Sequence, residues 1–132
     1  MAGNLGTEAN LLEWKDKDIK LLASQVELYK EARDIIYGGD LYRLESPYEG
    51  SRVAFNYVSK DKNEAVLFAY LHPKPLKKPG RLKLKGLAPS ASYEIRTDGR
   101  TLTMTGATLM KKGLDLKLKK IEDSAVAVLY KC

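Results

Sequence analysis

A chain of 132 residues is long enough for one domain with a real core and too short for a second full domain. With 44% hydrophobic and 30% charged residues its composition is that of an ordinary globular protein, and no apolar run approaches the roughly 18 residues that span a bilayer. The net charge of +6 brings a polyanion partner into consideration. However, in Arg81-Leu82-Lys83-Leu84-Lys85 and Leu114-Asp115-Leu116-Lys117-Leu118-Lys119 leucine alternates with charged residues. That is the pattern of a strand with one wet face, and it argues against a nucleic-acid surface.

In chain order, Asn10 is placed to open a short turn ending near Glu13, with Trp14 stapled against a long helix. The helix is predicted over Asp16–Tyr37, with Asp16 as N-cap and Asp18 favouring the positive end of the dipole. Ile19, Leu22, Ala23, Val26, Tyr29 and Ile36 form one apolar stripe, and Leu21, Leu28, Ala32 and Ile35 a second. Together they exceed the roughly 100° face of a simple surface helix, so neighbours are expected on two sides. Gly38-Gly39 is the expected stop, through a left-handed turn.

Beyond Gly39 the period becomes two. Strands are predicted at Leu41–Leu44, Val53–Val58, Glu64–Leu71, Arg81–Lys85, Ser92–Thr97, Thr101–Thr105, Leu114–Lys119 and Ser124–Tyr130. Residues 59–63 make one hairpin loop, and Asp98-Gly99 makes a type I′ turn in another. The apolar run Ala65–Leu71 is expected to be central and covered on both faces, and the proline-rich stretch from His72 to Gly80 to be an exposed connection. The fold class that follows is mostly β: an N-terminal amphipathic α-helix, then an antiparallel β-sandwich of about eight strands.

Chemistry-bearing residues are sparse. Asp16 and Asp18 are explained by capping, and Asp61, Asp98 and Asp123 by turn formation. His72 is the only histidine and Cys132 the only cysteine, so no zinc set assembles, no intrachain disulfide forms and no cofactor motif is present. The single thiol is compatible with a reducing compartment and does not demand one. No basic-then-apolar leader follows Met1, so a cytoplasmic location is expected. Asp40, Tyr42 and Arg43 are the structural candidates: they stand where helix meets β region, with an Asp40–Arg43 or Asp40–backbone contact expected to fix the junction. The eight tyrosines leave a sugar-stacking surface as a further reading, with Tyr57, Tyr70, Tyr93 and Tyr130 on strands and Tyr42 and Tyr48 flanking the junction.

A family resemblance enters at Leu28-Tyr29-Lys30-Glu31-Ala32-Arg33, Gly39-Asp40-Leu41-Tyr42-Arg43-Leu44 and Ser46-Pro47. It continues through Glu49-Gly50, Tyr57-Val58-Ser59, Ala65–Tyr70, Leu82–Leu87 with Tyr93, Leu109-Met110, Gly113-Leu114 and Val128-Leu129. These segments resemble the C-terminal end of family 36 α-galactosidases. The resemblance implies that residues 1–39 close a (β/α)₈ catalytic domain and that residues 40–132 form a C-terminal β-sandwich. It also implies a parent that removes terminal α-galactosyl residues with retention, using two aspartates held roughly 5–5.5 Å apart. The family's Lys-Trp-Asp-x-Asn nucleophile stretch and its Gly-rich, Arg-containing acid/base motif are both missing here; Trp14-Lys15-Asp16 has similar letters in another order. No catalytic residue is therefore assigned. The expected partner is the parent's catalytic barrel. Self-association through the Asp16–Tyr37 helix and galactoside binding by an independent module are secondary readings; neither nucleic acid nor a membrane is expected.

Overall fold

The computed structural model describes all residues except 1, 2, 4, 7, 73–77 and 119–122. A single 3₁₀ turn at Leu11–Glu13 is capped by Asn10, whose side chain accepts from the Leu12 amide. Helix α1 then runs over Asp16–Gly38, 23 residues or about 34 Å. Its N-cap is Lys15, one residue before the expected Asp16, and Lys15 makes no side-chain cap bond. Asp16 and Asp18 thus lie inside the first turn, where their charge still faces the positive end of the dipole.

The end of α1 also differs from expectation. Gly39 is extended, at φ −88° and ψ 177°, and does not make a left-handed turn. Glycine is required there by close approach: a Cβ would lie 2.4 Å from the Ile35 carbonyl oxygen and 2.6 Å from that of Val58.

Six strands follow among the described residues: β1 Asp40–Glu45, β2 Arg52–Val58, β3 Glu64–Leu71, β4 Ser92–Thr97, β5 Arg100–Thr105 and β6 Ser124–Lys131. They make one antiparallel sheet in the order β1-β2-β3-β6-β4-β5. β3 lies inside the sheet and is buried on both faces through Ala69, as its apolar run predicts. The β4–β5 hairpin turns through Asp98 and Gly99, both at positive φ (46° and 70°), in keeping with the expected type I′ geometry.

Two expected strands do not form ladders. Arg81–Lys85 and the described part of 114–119 meet only at one bridge, Leu82 to Leu114, with both amides donating at 2.8 Å. Their alternation nevertheless reads correctly: Leu82, Leu84, Leu114 and Leu116 are buried while Lys83, Lys85, Asp115 and Lys117 are exposed. Other partners satisfy the neighbouring backbone. The Leu84 amide donates to the Leu109 carbonyl at 3.2 Å, and the Asn56 side chain takes both backbone groups of Lys85. Gly113, at φ 81°, passes so close to Leu82 that a Cβ would sit 2.7 Å from its carbonyl oxygen. A short helix α2, Gly106–Lys111, was not expected; Thr105 caps it by accepting from the Thr108 amide.

The main core lies between the inner sheet face and this irregular layer. The sheet contributes Ala54, Ala65, Ala69, Ala125 and Ala127 together with Leu67, Tyr93, Ile95 and Leu129, and the layer adds Leu82, Leu84, Leu87, Leu109, Leu114 and Leu116. Of the buried polar side chains Thr97 Oγ1 alone is left without a partner among the described residues. Arg52 forks onto both Glu45 oxygens (2.7 and 2.9 Å) and donates to the Gly80 carbonyl, while the Tyr93 hydroxyl donates to Lys62 and accepts from Ala88.

Candidate functional site

The opposite, outer sheet face is where surface chemistry remains. β-strand alternation sends Phe55, Tyr57, Val66, Phe68, Val126, Val128 and Tyr130 to this side. Phe55 stacks on Phe68 at 5.3 Å, and Tyr57 meets both rings edge-on. The last third of α1 lies across them through Ala32, Ile35 and Ile36, its only buried residues.

A polar clamp holds the helix beside this contact. The Tyr130 hydroxyl donates to Glu31 Oε1, and Arg96 stands 3.8 Å from the same oxygen with its guanidinium 5.2 Å above the Tyr130 ring. Burial and the Glu31 carboxylate together push the Tyr130 phenol well above its ordinary range.

The remaining two-thirds of α1 does not find the second neighbour that its two stripes call for. Leu21 is 60% exposed and Ile19 43%. Trp14, half-buried, lines a cleft of about 500 Å³ with Leu21, Leu22 and the stems of Lys15 and Gln25. On the sheet, Leu41, Val53, Phe55 and Tyr57 line a hollow of about 290 Å³ beyond the reach of α1. Leu41 is itself 46% exposed. An apolar patch on the helix flank and an apolar hollow over β1 and β2 are therefore left uncovered among the described residues.

Of the three junction residues, Arg43 borders this surface. Asp40 pairs with Lys60, not with Arg43, because the β1–β2 register sets Asp40 opposite Val58, next to the turn that carries Lys60. Tyr42 points to the inner side, its ring against Gly86, where a Cβ would meet it at 2.4 Å. Arg43 points outward and lines the sheet hollow with Glu45 and Pro47.

The aspartates are dispersed. Asp16 and Asp18 sit on α1, Asp61 in the β2–β3 turn, Asp98 in the β4–β5 turn and Asp123 before β6. The Ser59 hydroxyl and the Asn63 amide hold the Asp61 carboxyl below its usual range, a turn-forming role. His72 is half-buried, and its amide donates to the Ser51 carbonyl. Among the described residues no three His, Cys, Asp or Glu side chains gather as a metal site would require, and no helix is long and apolar enough to cross a membrane.

A family model described as "Glycosyl hydrolase family 36 C-terminal domain" matches residues 52–129. The probable alpha-galactosidase C of Aspergillus flavus is 34% identical over 132 residues, covering 99% of this chain and 17% of the fungal protein. Alpha-galactosidase AgaA of Geobacillus stearothermophilus is 33% identical over 117 residues, covering 88% of this chain and 16% of its own length. The crystal structure of AgaA superposes with a TM-score of 0.87 at 30% identity, covering 99% of this chain and 18% of that one. The chain thus spans less than a fifth of the length of these relatives.

Proposed function

The chain belongs to the glycosyl hydrolase family 36 C-terminal domain family, and from that membership we propose that it is the accessory β domain of a larger α-galactosidase. Its work is to pack on the catalytic domain through the outer face. The observation that carries this reading is a pair of uncovered apolar patches, one of Trp14, Leu21 and Leu22 on α1 and one around the exposed Leu41 on the sheet. Relatives about six times longer have the additional chain with which to cover such a surface.

In this reading residues 1–39 belong with the catalytic domain and residues 40–132 form the C-terminal domain. The Asp40–Lys60 pair, the Tyr42 ring and the outward Arg43 form the joint between them. What supports the boundary is the change from helix to sheet at Gly39, which admits no side chain. The parent's hydrolysis of terminal α-galactosides with retention requires a pair of carboxylates on the catalytic domain, and this chain contributes scaffold. The single thiol, Cys132, fits a cytoplasmic setting, which fractionation of cells making the full-length protein tests.

A colorimetric assay with p-nitrophenyl α-D-galactopyranoside tests the division of labour. The purified 132-residue chain is expected to release no nitrophenol above buffer. Turnover that copurifies with the chain through successive columns would overturn the proposal. Self-association through α1 is the competing use of the same surface; a concentration-dependent dimer that Leu21→Asp abolishes and the catalytic domain does not displace would favour it.

A further inference from the structure

Where α1 lifts away from the sheet, a cleft of about 340 Å³ is lined by Gln25, Leu28, Tyr70, Asp98, Ser124 and Val126. The volume falls within the range of about 300–1,000 Å³ typical of small-molecule sites. We propose that this cleft is a pyranose-binding subsite, with the Tyr70 ring as stacking platform and Gln25, Asp98 and Ser124 as hydroxyl-binding groups.

The register assembles it. Tyr70 on β3 is paired directly with Ser124 on β6, so both side chains rise from the same face. The Asp98-Gly99 turn supplies a carboxylate at one side, and α1 supplies the carboxamide of Gln25. Tyr70 breaks the buried run of its strand: Ala65 to Ala69 are buried, whereas Tyr70 is 39% exposed. Burial of the rest of its ring raises its phenol pKa, as expected of a ring set partly into a wall.

Most telling is what the polar groups lack. Nearby on this face Tyr130 pairs with Glu31 and Arg96 with Glu94. The side chains of Gln25, Asp98 and Ser124 and the Tyr70 hydroxyl have no hydrogen-bond or ion-pair partner among the described residues. A carboxylate that accepts, a carboxamide that accepts and donates, and an aromatic face for C–H groups match the alternating polar rim and apolar face of a sugar ring. A lone carboxylate disfavours an anion and gives a metal ion too few ligands.

The inference rests on the family reading only for the choice of probe. Raffinose is titrated into the ¹⁵N-labelled 132-residue chain, and amide shifts are followed by NMR. Saturable shifts are expected at Gln25, Tyr70, Asp98 and Ser124, with a Kd on the order of 1 mM. Tyr70→Ala, and Asp98→Gly, which suits the φ of 46°, are each expected to weaken binding about tenfold. Tyr70→Phe keeps the ring and is expected to bind within about twofold of the parent. An unchanged spectrum elsewhere confirms that each variant folds. No saturable shift by about 50 mM, or equal binding by the Tyr70→Ala and Asp98→Gly variants, would overturn the subsite. A chain that binds no raffinose yet docks on the catalytic domain removes this inference and leaves the accessory role standing.

Discussion

The Tyr130 hydroxyl donates to Glu31 Oε1, tying the last strand to the last third of the long helix across 99 residues of chain. With Arg96 over the Tyr130 ring, it makes the helix seat polar on one side and apolar on the other. Folding favours the neutral phenol. The contribution is therefore fully present below the pH of about 10 at which an unfolded tyrosine ionises, and it is lost as pH rises through the folded value. Absorbance titration at 295 nm is expected to show a late-ionising tyrosine that Tyr130→Phe removes. The same variant is expected to lose about 1 kcal/mol at neutral pH by urea unfolding.

The seat itself depends on Ile35, which is 2% exposed against the aromatic face. Ile35→Ala is expected to cost about 2–5 kcal/mol in global stability. Leu21→Asp, two-thirds of a helix away and mostly exposed, is expected to change stability by less than about 0.5 kcal/mol. Denaturant midpoints measured on the pair distinguish a structural contact from an unoccupied surface.

Asn56 fixes the leucine layer by donating to the Lys85 carbonyl at 3.0 Å and accepting from its amide at 3.3 Å. Asn56→Leu removes both bonds and strands the two backbone groups, at a cost of about 1–3 kcal/mol. Amide exchange should speed up first at Lys85 and its neighbours.

Asp61 gives the acid-side counterpart to Tyr130. Its carboxyl is held low by the Ser59 hydroxyl first and the Asn63 amide next. The contribution to stability is present above the unfolded carboxylate range of about 4 and is lost as pH falls through the lower folded value. Carbon-detected NMR should show Asp61 titrating below the ordinary carboxylate range, and Ser59→Ala should move it upward.

Much of this fold is legible from period alone. Residues 16–38 and all six strands lie within two residues of where the hydrophobic pattern puts them, because each buries one regular face. Alternation reports burial, not pairing. Leu82-Lys83-Leu84-Lys85 buries its leucines as a strand does, although its hydrogen bonds go to Leu114, Leu109 and Asn56. Helix α2 is short enough that Thr105 was its only clear signal.

The candidate site was less legible. The Asp40–Lys60 pair depends on strand register, which no local pattern reveals. The two apolar stripes of α1 call for two neighbours, and the described residues supply one, the outer sheet face. The cleft around Tyr70 joins residues from α1, β3, the β4–β5 turn and β6, and their convergence exists only in three dimensions.

The most direct measurement is sedimentation velocity on a mixture of this chain and the separately produced catalytic region of the proposed parent. The account predicts a one-to-one complex that forms with the parent chain and fails with Leu21→Asp or Leu41→Asp. Two independent boundaries, with the catalytic region stable and fully active by itself, would contradict it.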